Sequence, residues 1–170
     1  MTTDSRHRSP VLRAVREVEA GAGLPWDADL AVSYGSRDAL LVAVHDHWSR
    51  QLFSRIDVAL ELGADSPEAS VAMAWRSAVR DQPGVRRLLD AEADNPALRS
   101  ARRHLLVTVA VAAGRATFDD PTSVSVAAGA QVLAAIDARP ADGHRPALLA
   151  RLLRRLWDGG PAADPFPWAA

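Results

Sequence analysis

Apolar side chains recur every three or four residues between Ser36 and Leu62. This spacing places them along one face of an α-helix, whereas a half-buried strand would alternate apolar and polar residues. Ser36 suits the N-cap position, and Asp38 brings a negative charge into the first turn. The stretch therefore predicts a long amphipathic helix whose buried stripe contains Leu41, Val44, Trp48, Leu52, Ile56 and Leu60.

The other breaks in the chain are of the kind that ends helices. Gly or Pro interrupts each apolar segment, and Val occurs in Ala- and Leu-rich windows rather than in alternating runs. The sequence therefore predicts an all-α protein with short connections. The further helices are expected over residues 11–20, 25–33, 67–81, 85–93, 95–114, 121–138 and 146–157.

Composition excludes several classes of protein. The formal net charge of −1 gives no general attraction to nucleic acid or anionic membranes, and the absence of Cys excludes disulfides and thiolate chemistry. No apolar run approaches ~18 residues, and the first residues lack the apolar segment of a signal peptide. We expect a cytoplasmic protein without a membrane partner.

No arrangement of residues indicates an enzyme or a metal site. His45 and His47 are two positions apart on the predicted long helix, about 200° around its axis, so they cannot bind one ion. The sequence contains no nucleophile–base pattern, Gly-rich phosphate loop or paired carboxylate motif. We therefore expect no catalytic residues, metal or cofactor, and an enzyme is the weakest alternative.

Three segments resemble the tetracycline-repressor-like (TetR/AcrR) family of transcriptional regulators. "VREVEAGAGLP" (15–25) resembles the second helix and turn of the family's DNA-binding head. "YGSRDALLVAVHDHW" (34–48) resembles its junction with the long connecting helix. Residues 66–103 resemble the regulatory body, where a helix breaks at a Pro before a V-x-R-L-L segment. The resemblance covers nearly the whole chain after residue 10.

The resemblance implies a homodimer with a helix-turn-helix-like head and a larger helical body. The head corresponds to residues 1–35, the ligand-binding and dimerisation domain to 36–158, and a Pro- and Gly-rich tail to 159–170. In such proteins the head binds DNA, and a small molecule in the body changes the spacing of the two heads. The implied function is a dimeric repressor that senses a small apolar or aromatic effector.

The head departs from the family pattern in length and in charge. Only ten residues precede Val11, so either the family's first helix or its middle helix is missing. Residues 1–40 carry five Arg against six carboxylates, and DNA affinity depends mainly on neutralising phosphates. We therefore expect weakened DNA binding, although a basic arm, "SRHRS", is a possible minor-groove contact. The resemblance assigns the DNA contacts to Arg13, Arg16, Trp26, Asp27, Ser33, Tyr34 and Arg37. The alternative is a dimeric ligand- or partner-binding protein that no longer binds DNA.

Three predicted helices carry the side chains expected around the effector cavity. Large apolar residues would form its walls and a few polar groups would anchor the ligand; equally, these side chains could fill a solid core. The predicted pocket residues are Trp48, Phe53, Met73, Trp75, Arg76, His104 and Thr108.

The last two predicted helices suit a dimer interface. The first is rich in small residues that permit close approach, and the second has more apolar surface than one neighbour needs. Burying half of its Leu side chains would contribute several times ~1.5 kcal/mol. The predicted interface residues are Ala127, Ala130, Ala134, Leu149, Leu152, Leu153 and Leu156. The alternative is that both helices pack within one monomer.

Overall fold

Helices form all the regular structure of residues 10–63 and 65–139, which are the residues that this computed structural model describes. No strand occurs in these two ranges, which confirms the predicted all-α class. The elements are α1 (Pro10–Glu19), α2 (Ala28–Tyr34), α3 (Arg37–Glu61), α4 (Pro67–Asp81), α5 (Pro83–Ala91), a 3₁₀ helix (Pro96–Leu98), α6 (Arg99–Ala112) and α7 (Thr122–Ala138).

Side-chain caps set the starts of three of these helices. Asp27, Ser36 and Ser66 accept hydrogen bonds of 2.9–3.1 Å from the amide three residues later in α2, α3 and α4. Each bond satisfies an amide that has no carbonyl partner within its helix. The starts expected near Ser36 and Ser66 are confirmed. Helix α2 begins three residues later than predicted, because Asp27, and not a residue before Pro25, is its cap.

Helix α3 is the centre of the core. It is continuous over 25 residues and packs against α1, α2, α4, α5 and α6. Most of the predicted stripe is buried, but Leu60 is 38% exposed and Ala59 lies inward in its place. The prediction failed at Leu60 because successive steps of four residues drift by about 40° each around a helix axis. Such drift carries the last member of the stripe out of the core.

Two glycines allow helices to approach closely. A Cβ atom at Gly84 would lie 2.7 Å from the Val18 carbonyl oxygen, and one at Gly129 would overlap the Leu106 carbonyl oxygen. Glycine therefore permits backbone contact between α5 and α1 and between α7 and α6.

Residues 10–63 and 65–136 belong to one compact unit, and a second unit starts at Asp137. Only residues 137–139 of the second unit are described, so the helix predicted over 146–157 and the tail lie outside the described residues. Within the described ranges, no helix combines the length and the apolar character that crossing a membrane requires.

Candidate ligand-binding site

A carboxylate of α1 fixes the amino-terminal segment, residues 10–35, on the rest of the unit. Glu19 Oε2 accepts a hydrogen bond of 3.0 Å from the Gly84 amide, and Oε1 accepts one of 2.7 Å from the Val85 amide. Gln82 precedes α5 and provides no side-chain cap. Glu19 therefore replaces the missing N-cap of α5 and places a negative charge at its positive end.

The Asp27 side chain makes its hydrogen bonds within the amino-terminal segment. Its carboxylate caps α2 and also accepts two hydrogen bonds, of 2.7 and 3.1 Å, from the Arg13 guanidinium. The bonds from Arg13, and then from the Leu30 amide, lower the pKa of Asp27, and the same pairing raises the pKa of Arg13. The acidity of the α2 start thus has a structural reason, since the Asp27 charge offsets a cation and completes a helix.

The other residues predicted to contact DNA differ in their exposure and in their contacts. Arg37 donates a hydrogen bond of 3.3 Å to Glu92, and Tyr34 packs against the core. Arg16, Trp26 and Ser33 are exposed. Helix α1 packs on α3 and α5 and α2 packs on α3, so each of the two helices is held mainly by the body.

The predicted pocket residues form two separate ring pairs. Trp48 and Trp75 are buried and meet edge to face, with ring centroids 5.3 Å apart and planes at 86°. Phe53 and His104 form a second edge-to-face pair at 6.0 Å. The remaining three are divided: Met73 is 39% exposed, Arg76 is half-buried, and the Thr108 hydroxyl donates to the His104 carbonyl.

A small cavity of about 50 Å³ adjoins the tryptophan pair. Of the predicted pocket residues, only Trp48 lines it. The other polar groups in its wall are His45, Arg86 and Arg102, and the apolar part of the wall consists of Leu89, Leu105, Leu106 and Leu133. We call this space the Trp48 cavity. Sequence reasoning missed both arginines because arginine on an amphipathic helix is ordinarily a solvent-facing residue.

The two arginines are held in place by contacts within the chain. The Arg86 guanidinium carbon lies 5.6 Å from the Trp48 ring centroid and 5.0 Å from that of Trp75, distances at which a cation is attracted to an aromatic face. Arg86 also donates two hydrogen bonds to Asp90. Arg102 donates to the Ala93 carbonyl oxygen. Both charges are therefore positioned beside the cavity before any ligand binds.

Trp48 contributes a buried donor that is not used within the chain. Its ring is fully buried, and Nε1 has no hydrogen-bond acceptor among the described residues. Leaving a buried N–H group unsatisfied costs about 1–3 kcal/mol. Unpaired buried donors are uncommon in folded proteins, and this one is enclosed so closely that a water molecule could not reach it.

His45 is a neutral member of the cavity wall. The ring is buried, and Nδ1 lies 3.4 Å from the Ser49 hydroxyl. Burial lowers the pKa of His45 below 6.5; the neighbouring Asp46 carboxylate opposes this effect, and the Arg102 and Arg86 charges add to it. Near neutral pH the cationic groups of the wall are therefore the two arginines.

A second cavity, of about 300 Å³, is a weaker candidate. Glu68 and Arg115 line it together with Gln131 and small residues of α7. Arg115 donates hydrogen bonds of 3.1 and 2.7 Å to Glu68. Its charged groups thus satisfy each other, whereas Arg102, beside the Trp48 cavity, donates to a main-chain carbonyl oxygen.

The predicted interface residues of α7 lie on its outer face. Ala127, Ala130 and Ala134 are exposed, while Val132 and Ile136 point into the core. The remaining predicted interface residues, Leu149, Leu152, Leu153 and Leu156, lie outside the described residues.

The described ranges hold no cluster of three or more His, Asp or Glu side chains suited to a metal ion.

Comparison with known proteins identified no relative of this chain. No family model matches the chain, and no curated protein and no solved structure shows significant similarity to it.

Proposed function

We propose that this chain is a homodimeric, TetR-like helical regulatory protein that binds a small molecule in its body and does not bind DNA through its amino-terminal segment. The observation that carries this proposal is that the charged groups of Glu19, Asp27 and Arg13 are bonded within the chain. Of the two functions considered from the sequence, this observation favours a ligand- or partner-binding protein that does not bind DNA.

The continuity of α3 supports the TetR-like plan. A single helix of 25 residues joins the small amino-terminal segment to the helices of the body. In the family that the sequence resembles, the connecting helix has this position. A break inside residues 36–60 would have counted against the resemblance.

The electrostatics of the amino-terminal segment count against DNA binding. A protein gains affinity for duplex DNA chiefly by placing cations against phosphates. The Arg13 charge is offset by Asp27, and the Arg37 charge lies 3.3 Å from Glu92. Asp29 is exposed on α2, where it would repel phosphate groups.

The Trp48 cavity supports a small-molecule function. Its wall combines apolar leucines with a few positioned polar groups, the usual composition of a ligand site, in a volume of about 50 Å³ that is below the usual ~300–1,000 Å³. The exposed alanines of α7 leave a smooth helix face that a second copy of the chain could approach closely, which supports the proposed dimer.

Measuring DNA binding at two salt concentrations tests the proposal. The probe is the DNA upstream of the protein's own coding sequence, and anisotropy is recorded at about 50 and about 200 mM salt. We expect no sequence-specific, salt-sensitive complex, while sedimentation of the same sample shows a dimer. A specific complex that weakens in an Arg16→Ala variant would instead establish the DNA-binding repressor.

A further inference from the structure

We infer that α2 of one copy of this chain docks on the exposed face where α3 and α4 meet in a second copy. The inference goes beyond the proposed function, because it gives the amino-terminal segment a protein partner in place of DNA. It does not depend on the dimer proposed through α7, since neither surface includes a residue of that helix. The receiving surface, which we call the α3–α4 face, consists of Val58, Leu62, Met73, Arg76 and Arg80.

Apolar side chains are exposed where the end of α3 meets the start of α4. Val58 and Leu62 of α3 are 54% and 56% exposed, and Met73 of α4 is 39% exposed. These side chains lie on one side of the antiparallel helix pair, because Arg55, three residues before Val58, donates a hydrogen bond of 2.8 Å to Ser77, four residues after Met73. Contiguous exposed apolar patches, unlike single apolar side chains, are typical of protein–protein contacts.

Two positive charges adjoin this apolar patch. Arg76, which is half-buried, and Arg80, which is exposed, continue the stripe of α4 beyond Met73 at spacings of three and four residues. The ion pairs of the described ranges involve other arginines. Asp81 is next to Arg80 in the sequence but is bonded to Arg55. An occupant of the α3–α4 face should therefore combine apolar side chains with a carboxylate.

The outward face of α2 has this composition. Leu30 is buried, whereas Asp29 is exposed and Val32 is 89% exposed. The Asp29 carboxylate belongs to none of the ion pairs of the described ranges. Arg13 attracts Asp29 at longer range but is itself bonded to Asp27. Helix α2 thus presents a carboxylate beside an apolar side chain that makes little contact within its own molecule.

The two surfaces also match in spacing. Asp29 and Val32 are three residues apart on α2, and Met73 and Arg76 are three residues apart on α4. Each pair is therefore separated by about 4.5 Å along its helix axis. When the two helices pack antiparallel, Val32 lies against Met73 while Asp29 lies against Arg76. One orientation of α2 therefore satisfies both the apolar contact and the charge pair.

This contact has to join two molecules. Val58 lies about 30 Å along α3 from Arg37, whereas α2, with 7 residues, is only about 10 Å long and is connected to the start of α3. Helix α2 therefore cannot reach the α3–α4 face of its own molecule. Because the two surfaces on each molecule differ, the contact is head-to-tail and builds rings or chains of copies.

Sedimentation velocity over a concentration series tests the inference. The full-length protein is measured from about 5 to about 500 µM at about 50 mM salt, because a contact of this size is weak and is screened by salt. We expect the weight-average sedimentation coefficient to rise with concentration. Association should weaken at least about tenfold in Asp29→Arg and in Arg76→Glu, because each places like charges opposite each other. Arg87→Glu makes the same charge change at an exposed position of α5 and should leave the rise intact.

Mixing the two charge variants separates a direct contact from a structural effect. In an equimolar mixture, the arginine introduced on α2 of one variant faces the glutamate introduced on α4 of the other, and the remaining contact keeps the native pair. We expect the concentration-dependent rise to return in the mixture. Val32→Ser is an additional variant, since a side chain that is 89% exposed has little packing to lose within the monomer; it should also weaken association.

The outcomes separate this inference from the proposed function. A wild-type sedimentation coefficient that stays constant over the series overturns the inference. A rise that persists in Asp29→Arg and Arg76→Glu, or a mixture that associates no better than either variant alone, also overturns it. The proposed absence of DNA binding is judged separately, by the anisotropy experiment.

Discussion

Glu19 provides the sharpest test of how the amino-terminal segment is attached. Replacing it with Ala removes the acceptor for the amides of Gly84 and Val85, at the start of a helix that has no other side-chain cap. Gly84 and Val85 are both buried, so water cannot readily take the place of the carboxylate. The substitution should therefore destabilise the fold well beyond the effect of losing a surface charge.

The expected size of the effect follows from these two bonds. Hydrogen bonds to a charged group contribute about 1.5–3 kcal/mol each, and loss of an N-cap costs about 0.5–2 kcal/mol. Because the two bonds share one carboxylate, their contributions overlap. We expect Glu19→Ala to lower the free energy of unfolding by about 2–4 kcal/mol, and Glu19→Gln, which keeps one acceptor oxygen, by about half as much.

Urea unfolding followed by circular dichroism measures the difference. Glu17→Ala is the matched control, since Glu17 lies on the same helix and makes no hydrogen bond to α5; its effect should stay within about 0.5 kcal/mol. If Glu19→Ala were no more destabilising than Glu17→Ala, the carboxylate would not anchor the segment, and the structural argument against DNA binding would lose its main support.

Three further predictions concern other parts of the fold. Gly84→Ala should cost about 1–3 kcal/mol in urea unfolding, because its Cβ would meet the Val18 carbonyl oxygen at 2.7 Å; an unchanged midpoint would refute close packing of α1 on α5. Burial lowers the pKa of His45, so this side chain binds a proton more readily in the unfolded state than in the folded state. The contribution of neutral His45 to stability is therefore fully present above pH 6.5 and is lost as the pH falls below that value. The His45→Asn variant should lose less stability than the wild type between about pH 7.5 and about pH 5.5, and equal losses would contradict the assignment. Ala130→Arg should yield a monomer in sedimentation, whereas Ala91→Arg, at an exposed alanine of α5, should leave the dimer intact; a dimer in both would place the interface elsewhere.

Local signals in the sequence predicted the helices because their causes are local. Ser36 and Ser66 cap the helices that follow them, and the apolar spacing of α3 buries Trp48, Leu52 and Ile56 as expected. These features depend on residues within one or two turns of each other. The all-α class follows from them without knowledge of the tertiary contacts.

The candidate site could not be predicted in the same way, because its contacts join distant segments. Glu19 caps α5, and its hydrogen bond to the Gly84 amide joins residues 65 positions apart in the sequence. Arg86 and Arg102 line the same cavity as Trp48 only when α5 and α6 pack against α3. No spacing rule links such residues, so the predicted pocket included aromatic residues that the structure places in two separate pairs.

The energies above indicate which part of the molecule a bound ligand could move. Coupling between two sites is typically about 1–3 kcal/mol, whereas freeing the amino-terminal segment would sacrifice the Glu19 bonds, at about 2–4 kcal/mol. A ligand in the Trp48 cavity would therefore leave α1 docked on α5 unless its coupling energy reached the upper part of that range. Leu133 offers a different route, because it lines the cavity on α7, the helix whose outer face carries Ala130 and Ala134. Under the proposed function, ligand binding should thus alter the association of two copies before it alters the position of the amino-terminal segment.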